Sequence, residues 1–115
     1  MYCVEFYEMK DGSCPVVEFL ETLEPKMKAK LLSMMEILGE KGNELRMPYT
    51  ELLEDGIFEL RAKQGTNISR ALFFFYVNKR IIITNGFLKK QQKTPKKHIK
   101  LAKKYREDFY QREGE

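Results

Sequence analysis

Between Asn85 and Arg106 the stretch "NGFLKKQQKTPKKHIKLAKKYR" contains no carboxylate, although it carries eight lysines, an arginine and the chain's one histidine. Other shortages narrow the field. Two cysteines, Cys3 and Cys14, and the single His98 make no paired metal-ligand spacing. That excludes a recognisable zinc constellation and leaves the cysteines as reduced, structural residues. No metal and no cofactor are expected. No apolar run approaches the roughly 20 residues of a membrane span. The opening "MYCVEFYE" lacks the basic-then-apolar order of a secretory signal, so a cytoplasmic protein without a membrane partner is expected. No repeat, low-complexity linker or internal boundary divides the 115 residues, and one domain over 1–115 is the expectation.

What is present is divided by charge. Residues 1–60 hold 13 acidic and 6 basic side chains, whereas residues 61–115 hold 15 basic and 4 acidic ones. The net +4 therefore conceals an acidic half and a strongly basic half, and the basic half fits a polyanionic partner such as nucleic acid.

The pattern predicts an α+β domain of order β-α-α-β-β-β-α, with an antiparallel meander sheet packed by helices. "YCVEFYE" alternates as a strand over about residues 2–8. Ser13 can cap a short helix, "PVVEFLETL", with Pro15 in its first turn. Pro25 opens the next helix, where Met27, Leu31, Met34 or Met35, and Leu38 recur at helical spacing as core residues, and Gly39 or Gly42 can end it. "NELRMPYTELLEDG" reads as a connection with one turn of helix at most. "IFELRAK", "SRALFFFYV" and "RIIITNGF" are the three meander strands. Phe73, Phe74 and Phe75 are read as packing on both faces of a central strand, and Tyr76 as facing either core or partner. Thr94 and Pro95 give a cap and first-turn proline for a last helix reaching about Gln111.

Turn chemistry then brings cations together. A turn at Gly65-Thr66 pairs Lys63 with Ile68 and Arg61 with Arg70. Opposed arginines repel unless something compensates; Glu59, one step along the same face, could partly neutralise the pair, which is the structural alternative to a bound phosphate. A second turn at Asn78-Lys79 sets Arg70 opposite Phe87, two residues before Lys89. Arg61, Arg70, Phe87 and Lys89 would then cross three adjacent strands near one end of the sheet. Arginines grip phosphate with a fixed fork, lysine adds a compact charge, and an aromatic ring can stack a base.

In the last helix Ile99, Leu101, Ala102, Tyr105 and Phe109 fall on one side, with Lys97, Lys100, Lys103 and Lys104 towards the other. Solvation explains Lys100, Lys103 and Lys104. It explains Lys96 and Lys97 less well, because the helix dipole disfavours cations in the first turn, and a bound phosphate would relieve that repulsion. His98 falls on the inward arc, either as a packed residue or as an acid or base near neutral pH.

With these residues in place, the sequence resembles the RelE/HigB-like toxins of type II toxin–antitoxin systems, in particular their phage-derived branch. The resemblance runs through "PVVEFLETL", "GIFELRAK", "SRALFFFY" and "NGFLKKQQKTPKKHIKLAKKY". It implies a compact α+β toxin that cuts messenger RNA, usually in the ribosomal A site. It also implies a helix-turn-helix antitoxin that represses their shared operon, so that operator DNA is met only through the complex. Carried over by residue, it implies catalytic roles for Arg61, Arg70, Lys89, Lys90 and Lys93, and RNA contact at Lys63. The residue reading adds Phe87, Lys96, Lys97 and His98 as RNA-binding candidates. Some relatives place a tyrosine or histidine near the cut phosphate; the corresponding loop here has no tyrosine, which leaves room for a lysine as the base. The chemistry implied is metal-independent attack of a ribose 2′-hydroxyl on the adjacent phosphate. The alternatives are a ParE-type toxin of the same fold acting on gyrase, a non-catalytic nucleic-acid-binding module, or a small domain with a solvated lysine helix.

Overall fold

Strand β4 (Asn67–Tyr76) organises the molecule, and its run "ALFFF" explains how. Ala71, Leu72, Phe73 and Phe74 are all buried, because a strand covered on both faces reads as a continuous apolar run. The computed structural model describes residues 1–88 and 93–114. Its elements are β1 (Cys3–Phe6), α1 (Pro15–Glu21), α2 (Pro25–Lys41), a 3₁₀ turn (Gly42–Glu44), β2 (Thr50–Glu54), β3 (Ile57–Gln64), β4, β5 (Arg80–Leu88) and α3 (Lys96–Glu113). The strands form one sheet in the order β1-β5-β4-β3-β2. β2 to β5 make an antiparallel meander, and β1 closes the far edge parallel to β5.

Helices α1 and α2 cover one face. Val16 and Leu20 of α1, with Met27, Leu31, Met34, Met35 and Leu38 of α2, pack on Leu60, Ala71, Phe73, Ile81 and Ile83. The methionine stripe is therefore core. On the opposite face α3 lays Ala102, Tyr105 and Phe109 over Ile57, Leu72, Phe74, Ile82 and Phe87. Tyr76 packs on Phe109 and Tyr110, with the Arg80 guanidinium over its ring. α3 is tied at its C-terminal end by Tyr7, whose hydroxyl donates to Asp108 at 2.7 Å and whose ring stacks on Tyr105.

Four expectations are corrected. The segment read as a connection carries, besides its 3₁₀ turn, the edge strand β2, in which Glu51 pairs with Glu59 and Leu52 is exposed. Neither serine nor threonine caps its helix. The Ser13 hydroxyl donates to Asp11, and the Thr94 hydroxyl donates to Glu59, so α1 and α3 begin behind Cys14 and Pro95 with no side-chain cap. The β4–β5 turn has three residues instead of two, with Asn78 and Lys79 at positive φ and Tyr76 opposite Arg80.

That longer turn alone would misplace Phe87 by one residue. A bulge restores it: Leu72 faces Asn85 and Phe73 faces Ile83, leaving Thr84 as the extra residue of β5. A one-residue bulge also reverses which face later side chains take. Phe87 accordingly lies beneath α3 and opposite Arg70.

Candidate functional site

Both hairpin registers converge on one end of the α3 face. The Gly65-Thr66 turn, with Gly65 at φ +64°, pairs Gln64 with Asn67, Lys63 with Ile68 and Arg61 with Arg70. Since β2 is paired to β3 there, a second carboxylate joins the first: Glu51 lies beside Glu59. Two carboxylates and two guanidiniums thus share a small patch of sheet.

Glu59 is the hinge of this cluster. Its side chain is fully buried, and it accepts from Arg61 Nε at 2.7 Å, from the Thr94 hydroxyl, and from Arg70 Nη1 at 3.4 Å. Arg70 is itself 1% exposed. Arg61 differs: its side chain is 21% exposed, and its outer nitrogen pairs with the half-exposed Glu51. Burial would pull the Arg61 guanidinium down, but hydrogen bonds and charge from Glu59 and Glu51 outweigh it and hold it above its ordinary value. The mutual repulsion of opposed arginines is therefore met from within the fold, with Arg70 inside and Arg61 at the surface.

Arg61 also borders two hollows. One, of about 360 Å³, lies towards α2 and is lined by Lys30, Met34, Pro48, Tyr49, Lys63 and Ile68 among others. The other, of about 180 Å³, lies towards the start of α3 and is lined by Glu51, Glu54, Lys93, Thr94, Lys96 and Ile99 with Arg61. Thr94 explains the approach of α3, because its hydroxyl is bonded to Glu59 instead of to the helix's own N–H groups.

Of the candidates named from sequence, Arg61, Arg70, Lys93 and Lys96 meet in this region; Lys63 stands exposed on the α2 side of it. Lys97 is exposed in the same first turn of α3. Phe87 is buried, and its ring stacks on His98 at 3.9 Å between centroids and 3° between planes, so that one ring face is already covered by imidazole. The backbone of His98 is held by the Asn85 amide at 3.3 Å. Lys89 and Lys90 lie outside the described residues. Glu51 was missed, since its place opposite Glu59 follows only once β2 is recognised as a strand.

Charge in α3 is partly matched from elsewhere. Lys103 pairs with Glu54, the last residue of β2, at 2.5 Å, and Arg106 with Asp55 of the β2–β3 turn at 3.1 Å. Among the described residues no ion pair engages Lys93, Lys96, Lys97, Lys100 or Lys104. This leaves a cationic stripe running from the Arg61 hollow along the outside of α3.

Residues 18–107 match the family described as phage-derived protein Gp49-like (DUF891). The chain belongs to this Gp49-like family. Among solved structures it is similar to the crystal structure of an archaeal RelE–RelB complex from Pyrococcus horikoshii OT3, with a TM-score of 0.54 and 24% identity over 80% of this chain and 98% of that one. At that identity the likeness establishes the fold: this Gp49-like chain has the RelE fold. A search of curated proteins finds no match. No described helix is long and apolar enough to cross a membrane.

Proposed function

We propose that the chain is the toxin of a type II toxin–antitoxin pair, an endoribonuclease that cuts messenger RNA held by the ribosome. The observation that carries this reading is the half-open guanidinium of Arg61, fixed by a buried carboxylate at the junction of two hollows and beside Lys93 and Lys96. Cleavage proceeds without metal. The ribose 2′-oxygen bonds to the adjacent phosphorus as the bond to the 5′-oxygen breaks, leaving a cyclic phosphate and a 5′-hydroxyl. Negative charge grows on the phosphoryl oxygens, and cations placed there stabilise the transition state more than the substrate. Arg61 and Lys93 supply that charge; of Lys89 and Lys90, one as a neutral amine accepts the 2′-hydroxyl proton, and the other as an ammonium gives a proton to the departing 5′-oxygen. Arg70 acts from within by holding Glu59 and through it Arg61. Lys63, Lys96 and Lys97 hold flanking phosphates, and Phe87, buried and stacked on His98, supports the first turn of α3 that carries Lys96 and Lys97.

The archaeal RelE of the similar structure was crystallised with RelB, which supports an antitoxin partner here. We assign that partner the helix-turn-helix type, reaching operator DNA as a complex in the cytoplasm. The test is induction of the chain alone and with the neighbouring reading frame, followed by primer extension on cellular messages. Growth arrest with new message ends, both relieved by the neighbour, is expected. Arrest with intact messages and gyrase-dependent DNA breaks would replace this reading by the ParE-type one. A non-catalytic binding module is favoured by one observation, the neutralisation of Arg61 by Glu51 and Glu59; it predicts RNA binding with no new ends.

A further inference from the structure

We propose that the hollow of about 360 Å³ on the α2 side of Arg61 is a nucleobase pocket, with Tyr49 as its stacking ring, seating an unstacked base beside the phosphate that Arg61 holds. The inference rests on the RNA-cleaving reading above and names the substrate element next to the reacting phosphate. Its volume falls within the roughly 300–1,000 Å³ of small-molecule sites. The walls are apolar, from Met34, Pro48 and Ile68, while Lys30, Arg61 and Lys63 bring cations to the lining and Arg70 lies buried against Glu59. Among the described residues no carboxylate lines it, in contrast to the α3-side hollow, where Glu51 and Glu54 sit among the lysines. An apolar slot with a cationic rim complements a nucleotide, which presents a π face on one side and a phosphate on the other.

Tyr49 is the aromatic residue in position to use that π face. Its carbonyl accepts the Arg61 backbone N–H at 2.8 Å, which holds the two residues' backbones side by side at the hollow they both line. The rings of Tyr2, Tyr7, Tyr76, Tyr105 and Tyr110 are engaged in stacked or edge contacts within the fold, whereas Tyr49 remains half-exposed at the pocket. Stacking accepts any base, because every base has a π face. The pocket therefore distinguishes a base from no base more strongly than one base from another, and it orients the strand: base towards α2, neighbouring phosphate towards Lys93 and Lys96.

The experiment uses end-labelled RNA hexamers, 2′-O-methylated throughout so that they cannot be cut, carrying a single abasic site moved through each position. Binding to the full chain is followed by fluorescence anisotropy. For wild type, one abasic position should weaken binding roughly tenfold or more, the scale of one base–aromatic stack. Tyr49→Leu, which keeps apolar bulk, should lose that positional penalty, and Tyr49→Phe should keep it. If wild type and Tyr49→Leu show the same abasic profile, the pocket assignment is overturned. Should Arg61→Ala still weaken every hexamer in that case, the phosphate site stands and only the base pocket falls. If no hexamer binds even at low salt, the base pocket is overturned, while cleavage of ribosome-held messages is judged separately by the new message ends.

Discussion

Replacing Arg70 by methionine removes a guanidinium from a place that water does not reach. Glu59 keeps its bonds to Arg61 and Thr94, and among the described residues no other charged group pairs with it in place of the lost guanidinium. Breaking a buried pair by deleting one partner costs about 3–5 kcal/mol, because the surviving charge keeps its desolvation penalty. A chain of 115 residues unfolds with an entropy for which 1 kcal/mol corresponds to roughly 4 °C, so the melting temperature should fall by about 12–20 °C. Arg61→Ala should cost less, about 1–2 kcal/mol, since water can enter its exposed position and replace part of the lost hydrogen bonding. The double variant Glu59→Met with Arg70→Met puts apolar side chains where the pair was, and such replacement is often neutral or stabilising. It should therefore recover most of the loss. Differential scanning calorimetry at fixed pH measures all three. A fall of under 4 °C for Arg70→Met, or a double variant no more stable than the single one, would refute the view of Arg70 as an internal partner of Glu59. It would also restore Arg70 as a residue whose loss of activity can be read directly as chemistry.

Other perturbations probe separate parts of the account. Arg61→Lys keeps a cation but loses the guanidinium fork, and Arg61→Ala loses both; cleavage should drop by about 10²- to 10³-fold in the alanine variant and by less in the lysine one, as read from message ends per unit time. Tyr7, pushed up to about 12 by burial and by its bond to Asp108, should ionise well above the ordinary tyrosine value. Its folded value lies above its ordinary one near 10, so the stability it contributes is complete below pH 10 and lost as pH rises towards 12. Spectroscopic alkaline titration should show that late step, and Tyr7→Phe should remove it. At the acid end, the Arg80 guanidinium bonded to Glu5 holds that carboxyl below its usual range; its contribution is present above about pH 4.5 and lost as pH falls through the folded value. Arg80→Met should flatten the acid limb of the stability profile. Gly86→Ala would place a methyl 2.5 Å from the Phe19 ring and 3.0 Å from the Arg70 carbonyl. Overpacking of this kind costs about 1–3 kcal/mol, and chemical denaturation should register it as a lower midpoint with an unchanged slope.

The sequence made local features legible and concealed those that depend on distant residues. Pro15 and Pro25 marked the starts of α1 and α2 because a first-turn proline sacrifices no hydrogen bond. Gly65 fixed the β3–β4 register because a left-handed backbone is easily adopted there. The Arg70–Phe87 pairing was reached by a shorter turn than the chain uses; a longer turn and the bulge at Thr84 offset each other. β2 was concealed because an edge strand with Leu52 in solvent and Glu51 facing Glu59 has no clean alternation. Thr94 looked like a cap since capping is local, whereas Glu59, its partner, lies 35 residues away. The depth of Arg70 was hidden for a similar reason. Composition marks an arginine as a surface residue, and only the buried carboxylate of Glu59 makes its burial affordable.

The central claim is that Arg61 stands where a scissile phosphodiester is held and cut. The measurement that tests it most directly is end-group analysis of messages from a translating extract given the purified chain. Wild type should leave 2′,3′-cyclic phosphate and 5′-hydroxyl ends, and Arg61→Ala, folded by calorimetry, should leave almost none. Ends of equal abundance from both proteins, or no new ends from wild type in an extract whose translation it arrests, would contradict the account.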